Sequence, residues 1–101
     1  MNSFTEKVID IIQDIPKGKV MTYGQIAQLA GNKRAARQVA RILHSMSKKH
    51  HLPWHRVINA KGQIAIQDEA IYHEQILNLR MEGIEVSKNG MVALDKYQVK
   101  V

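Results

Sequence analysis

Few side chains in this sequence could do covalent chemistry, and the one that is missing decides the most. There is no cysteine in the chain, which removes disulfides, thiolate zinc sites and any thiol nucleophile together. His44, His50, His51 and His55 have no carboxylate near them in sequence. Their surroundings are basic and repel a cation, so no metal site and no cofactor is expected. A solvated or phosphate-facing surface suits these histidines better. Glu82 or Asp68 could act as a general base, although no motif accompanies either. The single tryptophan, Trp54, lies in Pro53-Trp54-His55-Arg56-Val57, and its indole nitrogen can only donate. By residue type alone, binding is the stronger expectation and catalysis the weaker.

The charge says what would be bound. Fifteen Lys and Arg stand against nine Asp and Glu, a net charge of +6. Between Ile15 and Gln67 there is no acid at all, only Lys17, Lys19, Lys33, Arg34, Arg37, Arg41, Lys48, Lys49, Arg56 and Lys61. Such a one-sign field suits a polyanion, above all nucleic acid; the plainer alternative is a solvated basic surface. At 101 residues with 45% hydrophobic composition, a single globular domain over residues 1–101 is expected. No apolar run approaches the ~20 residues of a membrane span, and MNSFTEKVID lacks a basic-then-apolar signal. The expectation is an intracellular protein of the cytoplasm or nucleoid, away from membranes.

The elements that must position these groups read as mainly helical. Ser3 to Glu6 resembles a capping box, and Phe4, Val8, Ile11, Ile12 and Ile15 follow at helical spacing until Pro16 and Gly18. Thr22 and Gln25 form a second capping box for a short helix that Gly31 closes. Asn32 is placed to cap a third helix, with Ala35, Ala36, Val39, Leu43 and Met46 on one face and Arg34, Arg37, Arg41 and Lys48 on another. Two helices joined through a Gly-bearing turn, over about 22–47, describe a helix-turn-helix; an amphipathic hairpin with a solvated basic face reads the same way. Pro53 breaks the chain into a loop at 53–57. Strands are expected at His55 to Asn59 and Gln63 to Ile66 around Ala60-Lys61-Gly62. A helix follows from Asp68 to Glu82, with Ile71, Ile76 and Leu79 inward. Ile84 to Ser87 and Met91 to Leu94 would flank an Asn89-Gly90 turn as a small β wing. The tail, 95–101, is expected to be loosely held. The fold class expected is a mainly α, winged helix-turn-helix-like domain with small β wings.

Pro53-Trp54-His55-Arg56-Val57 resembles the Pro-Cys-His-Arg-Val motif of the O6-alkylguanine-DNA alkyltransferases, with tryptophan where the reactive cysteine would stand. That replacement in a short chain resembles the alkyltransferase-like proteins. Gly18-Lys19-Val20-Met21-Thr22-Tyr23-Gly24-Gln25-Ile26-Ala27 is similar to the family's approach to its helix-turn-helix. Ala30-Gly31-Asn32 with Ala35-Ala36-Arg37-Gln38-Val39 is similar to its recognition helix, and Glu82-Gly83 to the end of its last helix. The resemblance covers nearly the whole chain and matches the family's C-terminal DNA-binding domain.

It implies roles residue by residue. Tyr23 would press on the phosphate of the target nucleotide, and Arg37 would enter the helix to fill the gap left by a flipped base; the alternative for Arg37 is an ordinary phosphate contact. Ala36, Gln38, Arg34 and Arg41 would belong to the DNA-binding surface, with small residues at 35 and 36 admitting the helix to the minor groove. Trp54, Tyr23, Val57 and Leu43 would form the lesion pocket, where an indole supplies area without chemistry. His55 and Glu82 would remain as a structural hydrogen-bonded pair with no thiol to activate. Met46 stands where the family commonly has an asparagine bracing the turn. The family's Gly-Asn-Tyr-Ser-Gly-Gly type of loop is replaced by Gln63-Ile64-Ala65-Ile66-Gln67-Asp68, in which Gln67 is the best polar candidate for the pocket.

The implied function is a non-enzymatic damage sensor that flips O6-alkylguanine out of double-stranded DNA, holds it without transfer, and marks it for nucleotide excision repair proteins, acting as a monomer. The competing function is a sequence-specific helix-turn-helix transcription regulator. A regulator would bind a defined sequence and ignore alkylation.

Overall fold

The computed structural model describes residues 3–100. Helix α1, Ser3–Gln13, forms where Val8, Ile9 and Ile12 recur on one side, and all three are buried. It already contains Ser3, so Ser3 is a first-turn residue and not the expected cap. After Pro16 the chain turns through Gly18, whose φ of +86° lies in the left-handed region. Strand β1, Met21–Thr22, then pairs in parallel with β2, Val57–Ile58, in the register Met21↔Val57 and Thr22↔Ile58. This short sheet fastens the 53–57 loop to the start of helix α2, Tyr23–Leu29.

The Thr22–Gln25 capping box is present in full: Gln25 N donates to Thr22 Oγ1, and Thr22 N to Gln25 Oε1. Helix α3, Ala36–Met46, follows a tight turn at Gly31. Asn32 does not cap it. The Asn32 side chain accepts from Arg34 N at 3.1 Å and so shapes the turn, leaving Ala35 as an N-cap with no side-chain bond. Arg34 therefore lies before α3 and Lys48 beyond its end. Val39, Ile42 and Leu43 bury the inner face of α3 against α1 and α2.

The chain departs most from expectation after β2. Residues 54–56 form one 3₁₀ turn, and β2 pairs with β1 instead of with 63–66. Asn59 explains the change. Its side chain accepts from Lys61 N and Gln63 N, and its carbonyl from Gly62 N, which consumes the donors a hairpin ladder would need. Gln63 bridges Met91 instead, and Ile64 N donates to Gly90 O at 2.8 Å. The Asn89-Gly90 turn is made, with Ser87 N donating to Met91 O, but its flanks do not extend into strands. Among the described residues the β component is thus a small parallel pair and two isolated bridges on a mainly helical frame.

Helix α4, Glu69–Met81, is capped by Asp68, whose side chain accepts from Ile71 N, and Gly83 ends it at φ +87°. Ile71 points outward, 41% exposed; Gln75, Ile76 and Leu79 are the buried residues of this helix.

The tail is not loose over 95–100; Val101 lies outside the described residues. Helix α5, Leu94–Tyr97, seats Tyr97 in a second apolar cluster with Val20, Ile58, Leu79 and Ile84. Val20 donates to Tyr97 O and accepts from Val99 N, while Gln25 Nε2 donates to Val99 O at 2.6 Å. An open backbone edge at Val20 and one buried aromatic are what hold it. Because the Tyr97 hydroxyl also accepts from Glu85 N, Tyr97→Phe should cost about 1 kcal/mol. Tyr97→Ala should cost about 3 kcal/mol, measured by urea unfolding; equal costs would deny Tyr97 a role in the core.

Candidate nucleic-acid interface and cleft

The outer face of α3 carries Arg37, Gln38 and Arg41, all exposed, with Arg34 exposed in the turn before it. Ala36 is half-buried at the first turn. Since Val39, Ile42 and Leu43 take the inner face, the helical period leaves the arginines no inward position.

Beside this face lies a cleft of about 690 Å³. One wall comes from α2, α3 and the loop: Tyr23, Ala40, Leu43, Ser47, Trp54 and Val57. The other comes from the approach to α4 and its first turns: Ile66, Asp68, Ile71, Glu74 and Gln75. His44 completes the rim on α3. Four residues expected to share a pocket, Trp54, Tyr23, Val57 and Leu43, therefore do share one cavity. Gln67 does not. It is exposed at the bend before Asp68, and its neighbours Ile66 and Asp68 face the cleft in its place. Burial raises the pKa of the Tyr23 phenol above its ordinary 10.0, so Tyr23 keeps its proton and can donate.

Behind the cleft, Glu82 gathers the chain. His55 Nε2 lies 2.7 Å from Glu82 Oε2. Arg56 clamps the same carboxylate through Nε to Oε1 at 2.9 Å and Nη2 to Oε2 at 2.8 Å, and its Nη1 donates to Ile15 O. Gly18 N adds a bond to Oε1. The expected His55–Glu82 pair exists within a larger cluster than expected. Burial by itself would raise the Glu82 pKa; the bonds from Arg56, His55 and Gly18, with the charge of His55, outweigh it and bring the value down to about 2.

Gln75 is the polar residue that sequence reasoning missed. At 2% exposure, its Nε2 donates to both His55 O and Val57 O at 3.1 Å, tying α4 to the back of the loop. Its signal was a polar residue directly before Ile76 on the buried side of a helix. Trp54 stands half-buried in front of this brace, edge-on to His55 with ring centroids 6.2 Å apart. Where the resembled family commonly has asparagine, Met46 packs against the core, and the turn is braced by Leu52 N to Ser47 O at 2.9 Å and His50 N to Met46 O. Among the described residues, no group of three or more His, Asp or Glu is arranged to hold a metal ion, and no helix is long and apolar enough to cross a membrane.

The chain as a whole is similar to known proteins. A family model for the DNA-binding domain of 6-O-methylguanine DNA methyltransferase matches residues 3–84. The DNA base-flipping protein of Vibrio parahaemolyticus is 43% identical over 98 residues, covering 97% of each chain. Alkyltransferase-like protein 1 of Schizosaccharomyces pombe is 40% identical over 92 residues, 90% of this chain and 85% of that protein. The crystal structure of S. pombe Atl1 in complex with damaged DNA containing O6-carboxymethylguanine superposes with a TM-score of 0.89 at 38% identity, covering 100% of this chain and 98% of that one.

The Glu82 cluster makes acid sensitivity a direct test. With its pKa lowered from an ordinary 4.5 to about 2 on folding, ionised Glu82 contributes fully above the ordinary value. That contribution drains away as the pH falls toward 2. Glu82→Gln should lose about 2 kcal/mol at neutral pH, allowing for solvent screening, and its stability should fall less steeply below about pH 4.5. Parallel acid limbs in urea midpoints would refute the assignment.

Proposed function

The chain belongs to the 6-O-methylguanine DNA methyltransferase family through its DNA-binding domain, and from that premise we propose that it binds duplex DNA carrying O6-alkylguanine, turns the lesion into the cleft and keeps it there without alkyl transfer. The observation that carries this reading is Trp54 in the cleft wall, in a chain that has no cysteine. Dealkylation needs an atom that accepts the carbon, and a cysteine thiolate is the suitable one. An indole accepts nothing, but gives a flat purine area to pack on.

Base extrusion costs a few kcal/mol of stacking and pairing, least for a damaged pair. Arg37, exposed on α3 beside the cleft, is the side chain we assign to the vacated stack. Tyr23, in the cleft wall with its hydroxyl protonated, is the assigned lever on the target phosphate. Gln38 lies with Arg37 and Arg41 on the outer face of α3 and Ala36 at its first turn; we assign both to the groove, and Arg34 and Arg41 to the flanking phosphates. His55 and Glu82 hold the loop and have no catalytic duty. A flipped lesion held by a monomer would be a mark for nucleotide excision repair proteins, and this reading goes with a location in the cytoplasm or nucleoid.

Trp54 emission tests the reading, because this is the sole tryptophan. Duplex containing O6-methylguanine should bind more tightly than undamaged duplex in every sequence context and should change the emission more. Protein mass and lesion content should be unchanged after incubation. A mass gain equal to the alkyl group would make the protein an enzyme, and a preference for one sequence irrespective of alkylation would make it a regulator. Arg37→Ala should reduce the preference for damaged over undamaged duplex, whereas Arg34→Ala should weaken both duplexes alike. Equal behaviour of the two variants would remove the distinction between finger and phosphate contact.

A further inference from the structure

We propose that the cleft sorts O6 adducts by charge, taking guanines whose O6 substituent is neutral or cationic and disfavouring anionic ones, through Asp68 and Glu74 on the α4 wall; this rests on the lesion-binding reading above. The chain has no acid between Ile15 and Gln67, and the cleft is built mostly from that basic stretch. Its second wall nonetheless carries two carboxylates, Asp68 and Glu74, and none of its lining side chains is Lys or Arg. Among the described residues Glu74 makes no ion pair. Asp68 caps α4 through Oδ1, a bond that leaves its negative charge in place.

Carboxylates beside a site for a polyanion cost affinity for every duplex, and such a cost yields selectivity where it falls unequally on competing ligands. Here it does. The purine's glycosidic nitrogen and its O6 lie on opposite edges of the ring system. A base entering from the α3 side with its face on Trp54 or Tyr23 leads with the edge that bears O6, so the substituent reaches farthest from the DNA backbone, among the residues at the approach to α4 and its first turns. Those residues are Ile66, Asp68, Ile71, Glu74 and Gln75, with the two carboxylates exposed to solvent. The volume, about 690 Å³, is in the range that holds whole drug-sized ligands, so size alone excludes few substituents. Charge remains as the discriminator. Apolar carbons find Ile66 and Ile71, an ammonium finds a counter-charge, and a carboxylate meets two like charges.

The test uses duplexes identical except at O6, bearing methyl, carboxymethyl or the uncharged, nearly isosteric carbamoylmethyl group. The wild-type protein should bind the carbamoylmethyl duplex about tenfold more tightly than the carboxymethyl duplex, the size expected for like charges a few ångströms apart at a wet surface. Glu74→Gln with Asp68→Asn should narrow that ratio to about twofold; asparagine also caps helices well, so α4 is kept. Because the ratio is read between duplexes of equal backbone charge, a general gain in DNA affinity by the variant cancels. No gap in the wild type, or a gap unchanged in the variant, overturns the proposal while a preserved preference for O6-methylguanine keeps the lesion-binding reading. Loss of that preference overturns both.

Discussion

The loop that presents Trp54 to the cleft is held from behind by one carboxylate. Glu82, at the end of α4, receives His55 and Arg56 from the loop and Gly18 from the turn after α1, and Arg56 continues to Ile15 O. Three segments far apart in sequence are thereby fixed to one point. The geometry favours charge-assisted bonds: the carboxylate side chain is only 11% exposed, so its attractions are weakly screened. A bidentate arginine also sets an orientation, which a lysine at 56 would not do. Through this anchor and Gln75, the 3₁₀ turn that presents Trp54 is braced without any large sheet beneath it.

The legible parts of the fold were those where local chemistry has one solution. Thr22 and Gln25 could satisfy each other's backbone only as a capping box, and Asp68 and Gly83 could bound α4 whatever lay around it. The pairing of Val57–Ile58 was not legible, because two-residue strands carry no period and their partner lies 36 positions earlier, as the register Met21↔Val57 records. Asn59 looked like the end of a strand; the turn at 60–62 was expected and is present, but only the Asn59 side-chain bonds to Lys61 and Gln63 reveal that no hairpin ladder flanks it. The tail misled for a related reason: its polar appearance hid Tyr97, whose value depends on a cavity assembled by distant segments.

At the site, Trp54, Tyr23, Val57 and Leu43 were legible through a family resemblance, since nothing in their spacing alone would bring them to one cavity. Gln67 was chosen by polarity within a loop whose local direction no pattern fixes. The bend before the Asp68 cap turns it out and turns Ile66 and Asp68 in. The α4 wall escaped because Ile71 was assigned to the core by helical spacing. Gln75 takes that buried side instead, having two backbone carbonyls to satisfy it.

The retained frame around a position without a nucleophile has an energetic logic. A transferase gains rate only from interactions stronger in the transition state than in the bound substrate. A protein that holds a lesion unchanged has no transition state to favour, so every contact to the flipped base can appear as ground-state affinity. Replacing a thiol by an indole moves in that direction, since it exchanges a reactive atom for apolar area next to a purine face. A rigid support helps further: a loop already fixed by Glu82, Arg56 and Gln75 loses little conformational freedom on binding. On the proposed reading, the Glu82 cluster serves without chemistry, as the preorganisation of a binding wall.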